Sequence, residues 1–560
     1  MNKKIINLLI VLSFVLGNDK KQVEFNNNED YKEYIDLFES SFNKLKINFV
    51  DSVNESEMIK AGIKGMLKNL DPYTKLLEDN SLESFEILRK GKYGGVGIQI
   101  GLRRDTLTVL SPMEDSPAYS EGIIAGDKIM KIDSTFTKGM TVSDASKLIK
   151  GEVGSTVILN ILRPSTKEKI DFKLERSSIV VKHVPYWGVD KNNIGYIRIT
   201  RFSRNASKDF KKGLEELQDK NIKGLVIDLR GNSGGLLSNA INILDYLCER
   251  GEVLLKSKGK TNRSNKEWKS RRKPILDIDT PIVVLVNRGS ASASEIVAGA
   301  IQDLDRGVVI GQNTFGKGLV QHMYDLNDTI TLKITTSKYY LPSGRLIQKQ
   351  DYLDNGFLTD GLDKVDSLFT TKGGREVKGG NGIVPDIKTE RNILSPYVQE
   401  LWRQGVFLSF AASYVPFNKD LKTPVVIDNK IMKAFKLFLN DYTLEYKLKG
   451  EDEYLKFLDK VNMSPISINK FSRNIYFKDS SIMEQNNTIP VENYFNEIKK
   501  VQFSLEENQR WIKNGLEREI SKVIGGEKER IKASLNEDLE YRKAINLILN
   551  LKDYYSILEF

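Results

Sequence analysis

Hydrophobic residues recur at helical spacing near both ends of the chain. Between about positions 30 and 90, one amphipathic face carries Tyr34, Leu37, Phe38, Phe42 and Leu45. Beyond Pro396, charged sequence alternates with apolar faces such as Ile431, Phe435, Phe438 and Leu439. The pattern predicts helical regions over 18–90 and 396–560, the first one including a helix that ends at Asp71-Pro72.

The apolar period changes from helix to strand after position 90. In Tyr93–Gly101 (YGGVGIQIG), glycines precede alternating apolar residues, and Thr156–Pro164 (TVILNILRP) reads as the closing strand of the same domain. A helix is expected around Val142–Ile149. These segments predict a small β-rich domain over 91–176.

Two strand–turn–helix units follow in the region 177–395. In the first, the buried strand Gly224–Leu229 (GLVIDL) leads into Arg230–Gly235 (RGNSGG) and a helix that places Leu237, Ile241, Leu244 and Leu247 inward. In the second, Pro281–Val286 (PIVVLV) leads through a Ser/Ala turn into a helix with Ile296, Val297, Ala300, Ile301 and Leu304. Further strands are predicted at Ile194–Phe202 and Ile330–Thr336, and an exposed loop at Asp351–Thr371. This alternation of strands and helices predicts an α/β core.

Composition narrows the class of protein. A 40% apolar content over 560 residues supports several packed domains. The net charge of +10 is spread among interleaved acids and bases, which indicates a solvated surface and no nucleic-acid partner. Cys248 is the single cysteine, so no intramolecular disulfide forms, and its place on an apolar helix face predicts a buried, inert thiol. No Cys/His set has metal-ligand spacing, so neither a metal nor a cofactor is predicted.

The segment Met1–Gly17 (MNKKIINLLIVLSFVLG) combines two lysines with a short apolar core. Such a segment is typical of a secretory signal and is short for a membrane span. It predicts export to the periplasm. The alternatives are an uncleaved membrane anchor and the buried first helix of a cytosolic protein.

Candidate chemistry lies in the second turn. Ser292 stands between a strand end and a helix start, where unpaired N–H groups and the helix dipole favour an oxyanion. Lys317, between two glycines, suits a buried general base. A lysine base must be neutral, so its ordinary pKa of about 10.4 must fall by about three pH units, a cost of about 4 kcal/mol. Of the two histidines, His322 is expected on the strand face opposite Gln321, and His183 in a structural strand, IVVKHV.

The motifs SASASE and TFGKGLVQ together resemble the carboxy-terminal processing (tail-specific) serine proteases, over about residues 45–390. The resemblance implies Ser292 as nucleophile, Lys317 as base and Gln321 as the residue that orients the amine. It assigns the oxyanion donors to the N–H groups of Ala293 and of Gly234 or Gly235. A phosphate-binding nest is the competing interpretation of RGNSGG, and a helix cap that of each serine in the motif; Ser294, followed by Glu295, suits a cap.

The same resemblance extends to the β-rich domain. YGGVGIQIG resembles the carboxylate-binding loop of a PDZ domain, which implies peptide binding at Gly94, Gly95, Val96, Gly97 and Ile98. SPAYSEGIIAGDKIMKID resembles a PDZ turn and strand. Where the family commonly has an arginine that can relay PDZ docking to the core, this chain has Lys150, which lacks the bidentate fork.

The implied fold is multidomain α+β: a PDZ domain, β-barrel-like, ahead of a crotonase-like (ββα) α/β serine protease core, with helical terminal regions. We therefore expect an endopeptidase that binds the apolar C-terminus of protein substrates and cuts nearby. The alternatives are a catalytically inactive PDZ adaptor and a core that binds a hydrophobic small ligand. The N-terminal segment predicts membrane association. The terminal helices predict either self-association, as in a homo-oligomer, or simple core stabilisation.

Overall fold

The computed structural model describes residues 29–349, 368–390, 393–461 and 491–558. The chain divides into two compact units, Met1–Asn69 and Leu70–Phe560. The first contains helices α1 (Glu29–Asn48) and α2 (Glu55–Lys68). The predicted leader at 1–17 and most of the loop at 351–371 lie outside the described residues. Among the described helices, none is both long and apolar enough to cross a bilayer.

The second unit starts with a break in the helical pattern. The side chain of Asp71 accepts hydrogen bonds from the backbone N–H groups of Tyr73 and Thr74, which forms a compact turn. A short strand, β1 (Lys75–Leu77), then precedes helix α3 (Asp79–Lys90). Helix α2 ends at Lys68, three residues before the predicted Asp71-Pro72 stop.

The β-rich domain is an antiparallel sheet with strand order β3-β4-β5-β7-β8, and β6 pairs with β5. Its elements are β2 (Lys92–Gly95), β3 (Ile98–Arg103), β4 (Thr106–Pro112), α4 (Pro117–Ser120), β5 (Lys128–Ile132), β6 (Thr135–Phe136), α5 (Val142–Ile149), β7 (Thr156–Arg163), β8 (Glu168–Glu175) and β9 (Ser177–Val180). The expectation that TVILNILRP closes the domain is wrong, because β8 forms the outer strand beside β7 and β9 returns to pair with β2. Alternating charge hides β8 as a strand in the sequence.

The core region contributes the elements β10 (Tyr186–Val189), β11 (Gly195–Arg198), α6 (Ala206–Gln218), β12 (Leu225–Asp228), α7 (Leu237–Leu247), β13 (Val253–Lys258), β14 (Lys266–Lys269), β15 (Ile282–Val286), α8 (Ala293–Asp303), β16 (Val308–Gly311), β17 (Leu319–Asn327), β18 (Ile330–Tyr340), β19 (Leu368–Thr370), β20 (Glu376–Lys378) and β21 (Ile387–Lys388). One sheet has the order β10-β11-β12-β15-β16-β21 and is parallel except at β10. A second is built around β18, which pairs with β1, β13 and β17.

The parallel sheet is covered on both faces, which explains why β12 and β15 are buried throughout. Helices α6, α7 and α8 cover one face. Cys248 lies at the end of α7, and burial raises the pKa of its thiol to about 12, as an inert core thiol requires. The predicted strand around His183 ends earlier, at Val180, so that the histidine lies in a connecting bend.

The C-terminal region is helical, as predicted. Its helices are α9 (Pro396–Arg403), α10 (Val406–Tyr414), α11 (Asn429–Phe438), α12 (Glu451–Val461), α13 (Val491–Val501), α14 (Glu506–Ser534), α15 (Leu539–Leu549) and α16 (Leu551–Leu558). Helices α9, α10, α11 and α14 enclose a core of their own, which contains Phe407, Phe410 and Phe435. Helices α15 and α16 instead bury Tyr541, Ile548 and Tyr554 against the second face of the parallel sheet.

Candidate active site

Ser292 occupies a strained turn at the start of α8. Its backbone has φ 54° and ψ −113°, a combination that non-glycine residues adopt only where the surroundings enforce it. The Ser292 N–H donates to Glu295 Oε2 at 2.8 Å, which holds the turn against the helix. Strain of this kind is typical of a serine that a strand-to-helix turn presents to substrate. Ser292 lines a cavity of about 390 Å³.

The two neighbouring serines, Ser290 and Ser294, are buried, and both hydrogen-bond to the backbone at the turn RGNSGG. Ser290 Oγ donates to the carbonyl of Leu229 at 2.8 Å, and Ser294 Oγ donates to the carbonyl of Asn232 at 2.7 Å. The interpretation of Ser294 as a helix cap is wrong, because the N-cap position belongs to Ser292 and Ser294 is already inside the helix. Of the three serines, Ser292 is the one on the cavity wall.

Lys317 lines the same cavity and shares two anchoring partners with Ser292. Its N–H donates to Glu295 Oε2 at 2.9 Å. The single proton of the Tyr339 hydroxyl is shared between the carbonyl oxygens of Lys317 and Ser292, with Lys317 the nearer acceptor. The ammonium nitrogen of Lys317 lies 4.5 Å from the ring centroid of Tyr73. The two segments that carry the predicted dyad are therefore fixed to common anchors.

The pKa of Lys317 is lowered to about 8, chiefly by burial and next by the positive charge of Lys333 on the same cavity wall. Asp71 and Glu295 act in the opposite sense without reversing the shift. A pKa of about 8 leaves a substantial fraction of neutral amine in mildly alkaline solution.

Glu295 is a site residue that the sequence reasoning missed. Its carboxylate is fully buried and accepts hydrogen bonds from Thr314 Oγ1 at 2.6 Å and from the backbone of Gly316 at 2.7 Å, besides those from Ser292 and Lys317. Burial raises its pKa to about 7 despite these donors. The Ser292–Glu295 spacing is that of a capping box, a signal that could have indicated the acid at the helix start but not its bonds to residues 314–317.

The turn RGNSGG lies directly beside Ser292. Gly234 has φ +98°, and a Cβ built there would approach Ser292 Cβ to 2.9 Å and the Ala293 nitrogen to 3.1 Å. Only glycine permits this approach. The N–H of Gly234 donates to Asn232 Oδ1 at 2.9 Å, whereas Gly235 and Ala293 both line the cavity.

Gln321 on β17 also lines the cavity, and its amide nitrogen donates to Thr335 Oγ1 at 3.4 Å. His322 points elsewhere, with Nδ1 2.6 Å from Thr336 Oγ1 on an exposed face. Neither His322 nor His183 belongs to the cavity wall.

Helix α3 supplies another wall of the cavity through Ser81, Ser84, Phe85 and Leu88. The helix is joined to α5 of the β-rich domain at two points. Lys150 Nζ lies 3.0 Å from Glu83 Oε1, and Asn80 Nδ2 donates to Ser143 Oγ at 2.8 Å. The residue that departs from the family's arginine therefore makes a single ion pair to the helix that walls the cavity.

The predicted carboxylate-binding residues fall into two groups. Gly94 and Gly95 belong to β2 and pair with β9. Val96 is buried, Gly97 has φ +76°, and Ile98 opens β3. Among the described strands, β3 pairs only with β4, so its other edge is open beside α5. The loop 94–98 leads into β3, and the carbonyl of Gly94 accepts the N–H of Gly151, just past the end of α5, at 3.2 Å.

In the described part of the chain, no group of three or more His, Cys, Asp or Glu side chains is arranged to hold a metal ion. A strained serine, a half-buried lysine and two glycine-bearing turns on one cavity, next to an antiparallel β domain, are the features of a serine protease with a PDZ domain. Family models agree with this class: peptidase family S41 matches residues 193–356, and the PDZ domain matches residues 108–163.

Curated relatives define the family more narrowly. The carboxy-terminal-processing protease of Bartonella bacilliformis is 34% identical over 332 residues, which cover 59% of this chain and 76% of the relative. The carboxyl-terminal-processing protease of Picosynechococcus sp. is 33% identical over 61% of this chain and 86% of its own length. The chain belongs to the carboxy-terminal processing proteases of peptidase family S41. It is thus a serine protease that acts on protein or peptide substrates.

Among solved structures, a photosystem II D1 C-terminal processing protease shares 28% identity, with 64% of this chain and 87% of that chain covered and a TM-score of 0.35.

Proposed function

We propose that this protease cuts near the apolar C-terminus of its substrates with a dyad of Ser292 and Lys317. The observation that carries the proposal is the common anchoring of the two residues. Both line one cavity, and their backbones are held by the same Glu295 carboxylate and the same Tyr339 hydroxyl. Shared anchors fix the relative position of nucleophile and base, which general base catalysis requires.

The proposed reaction starts with neutral Lys317. Its amine accepts the proton of Ser292 Oγ while the oxygen attacks the scissile carbonyl, and the resulting ammonium then protonates the leaving amine. Water, activated by the same amine, hydrolyses the acyl-enzyme. The pKa of Lys317, lowered to about 8, supports this cycle because less free energy is needed to deprotonate the amine.

For the oxyanion, we propose the N–H groups of Ala293 and Gly235. Ala293 is the first residue of α8, where the helix has an unpaired N–H and a positive dipole end. Gly235 is favoured over Gly234 because the Gly234 N–H already donates to Asn232. Gln321 is proposed to orient the lysine amine from its place on the cavity wall, which requires it to exchange its bond to Thr335.

We further propose that the substrate's C-terminus adds as a strand to the open edge of β3, with its carboxylate near Val96, Gly97 and Ile98 and an apolar side chain toward α5. The open edge and the adjacent helix support this assignment. The leader-like start of the sequence supports export to the periplasm, with or without a membrane anchor. Self-association through the terminal helices stays a prediction.

The decisive test is proteolysis of a peptide with an apolar C-terminus by wild type, Ser292→Ala and Lys317→Ala. We expect both variants to lose turnover by at least about 10³-fold while they keep a wild-type melting temperature. Ser84→Ala, a serine on the same cavity wall, is the matched control and should retain activity. Near-normal turnover by Lys317→Ala would refute the dyad. A wild type that binds peptide but neither cleaves it nor reacts with a serine-directed probe would favour the inactive adaptor.

A further inference from the structure

Arg230 opens the glycine turn that carries the proposed oxyanion donor, and its guanidinium is completely occupied. An arginine side chain has five N–H donors. Nε and Nη2 donate to the two carboxylate oxygens of Asp228 at 3.0 and 2.6 Å. Nη1 and Nη2 donate to Asp538 at 3.0 and 2.6 Å, and Nη1 also donates to Glu540 at 2.6 Å. Three carboxylates thus fix one side chain in a single orientation.

Two of these carboxylates come from the last part of the chain, far beyond residue 356, where the match to the peptidase model ends. Asp538 is the N-cap of α15 and accepts the N–H of Tyr541 at 3.0 Å with the same oxygen that faces Arg230 Nη1. Glu540 lies in the first turn of that helix, and its other oxygen accepts from Thr389 at 2.7 Å. The side chains of Arg230, Asp538 and Glu540 are each about 15% exposed, so water screens their attraction only weakly.

The third carboxylate ties the cluster to the sheet. Asp228, fully buried at the end of β12, also lies 2.6 Å from Arg198 and accepts from the hydroxyl of Tyr196. Arg198 in turn donates to the backbone carbonyl of Arg230 at 2.7 Å. Arg230, the first residue of the turn, is therefore held by both its side chain and its backbone carbonyl.

Hydrogen bonds connect the glycine turn to the segment that contains Ser292. The N–H of Gly231 donates to Asn287 Oδ1 at 2.9 Å. The carbonyl of Asn232 accepts from the Ala291 N–H at 3.0 Å and from Ser294 Oγ. A shift of Arg230 would therefore move the glycine turn relative to Ser292, and displacements of about 1 Å can cost roughly 10²-fold in rate.

We infer that Asp538 and Glu540 are positioning residues for catalysis: through Arg230 they hold the oxyanion turn in register with Ser292. In this inference, helix α15 of the C-terminal region supports catalysis in addition to covering one face of the parallel sheet. This inference rests on the proposed oxyanion role of the glycine turn. It differs from a purely structural role, because α15 and α16 are already anchored to the sheet by apolar burial and by the Tyr554 hydroxyl, which bonds the backbone of Ile282.

The test uses the full-length chain with Asp538→Asn, Glu540→Gln and both together. Asn keeps the shape and the capping oxygen but loses the charge and one acceptor. We expect the double variant to lower kcat by about 10- to 100-fold with KM within about twofold, because the oxyanion is bound in the transition state and not in the ground state. The rate at which a fluorophosphonate labels Ser292 should fall in parallel, since that reaction needs the same donors.

Two control variants separate positioning from stability. Glu537→Gln removes the neighbouring exposed acid, which pairs with Arg510 and Arg542, and should leave kcat unchanged. Tyr554→Phe weakens the same helical layer without touching Arg230 and should lower the melting temperature but not kcat. The inference is overturned if the double variant keeps kcat within twofold of wild type, or if Tyr554→Phe loses as much kcat at an equal loss of melting temperature. If the double variant does not fold, the kcat of Glu540→Gln alone decides between the two roles by the same criterion.

Ser292→Ala in the same assay keeps the two claims apart. If that variant still cleaves, the proposed dyad fails whatever the acidic variants do. If it is inactive and Asp538→Asn/Glu540→Gln is as fast as wild type, only the positioning role fails.

Discussion

The two turns that meet at the cavity both connect a strand to a helix. They differ in how far along the sequence their anchoring acids lie. The Ser292 turn is held by Glu295, an acid only three residues away on its own helix. The Gly234 turn is held through Arg230, whose partners Asp538 and Glu540 lie more than 300 positions away in the sequence. The acid that holds the first turn is local in sequence, whereas two of the three acids that hold Arg230 come from the distant end of the chain. The difference indicates that the turn of the proposed nucleophile and the turn of the proposed oxyanion donor can be disturbed separately.

Removal of the local support should have the largest effect. Glu295→Ala leaves the N–H groups of Ser292, Gly316 and Lys317 without their buried acceptor, and each unsatisfied group costs about 1–3 kcal/mol. We expect at least about 100-fold lower kcat/KM and a clearly lower melting temperature, measured by peptide hydrolysis and thermal unfolding.

Glu295→Gln is the informative control. It keeps one carbonyl acceptor and should lose less of both activity and stability than the alanine variant. If Glu295→Ala retained wild-type kcat/KM, the local support of the Ser292 turn would be refuted.

A second variant tests how closely the two turns must approach. Gly234→Ala places a Cβ 2.9 Å from that of Ser292 at a backbone φ of +98°, so the turns must separate. We expect kcat to fall by about 10- to 100-fold with a smaller change in KM.

Gly231→Ala is the matched control for that variant. Gly231 also has positive φ, at +70°, but a Cβ there would meet nothing within 4 Å. It should cost about 1 kcal/mol of stability from backbone strain and leave kcat near wild type. Equal losses of kcat in both variants would show that strain, and not the approach of the turns, limits activity.

The contrast between the turns also shows which features of the site can be predicted from the sequence. The strand–turn–helix plan could be predicted, and Ser292 and Lys317, which line one cavity, could be named as candidates, because each depends on residues within one short segment. The place of Glu295 at the helix start could have been predicted from its capping-box spacing with Ser292. Strand β8 was missed because its apolar positions are diluted by charge, and the partners of Arg230 were missed because no local pattern links residue 230 to residues 538 and 540. The bond from Gln321 to Thr335 likewise depends on how β17 and β18 pair.

The smallest expected effect concerns a charge on the cavity wall that makes no hydrogen bond to either turn. The positive charge of Lys333 on β18 helps to lower the pKa of Lys317, which stands at about 8. The proposed mechanism requires the neutral amine, so it predicts that activity rises with pH through that pKa. Lys333→Met removes the positive charge, so the pKa of Lys317 rises and the ascending limb of the pH–rate profile moves to higher pH. At pH 7 kcat/KM should drop several-fold, while at pH well above the pKa it should approach the wild-type value.

The opposite charge provides the control for this shift. Asp71 raises the pKa of Lys317, so Asp71→Asn should move the ascending limb of the profile to lower pH. That variant keeps a side-chain oxygen for the turn at Tyr73 and Thr74. Opposite displacements of the two profiles, measured as kcat/KM against pH at constant ionic strength, would show that Lys317 is the titrating group. Profiles that do not move in either variant would assign the ascending limb to another residue, and the base would then have to be sought elsewhere on the cavity wall.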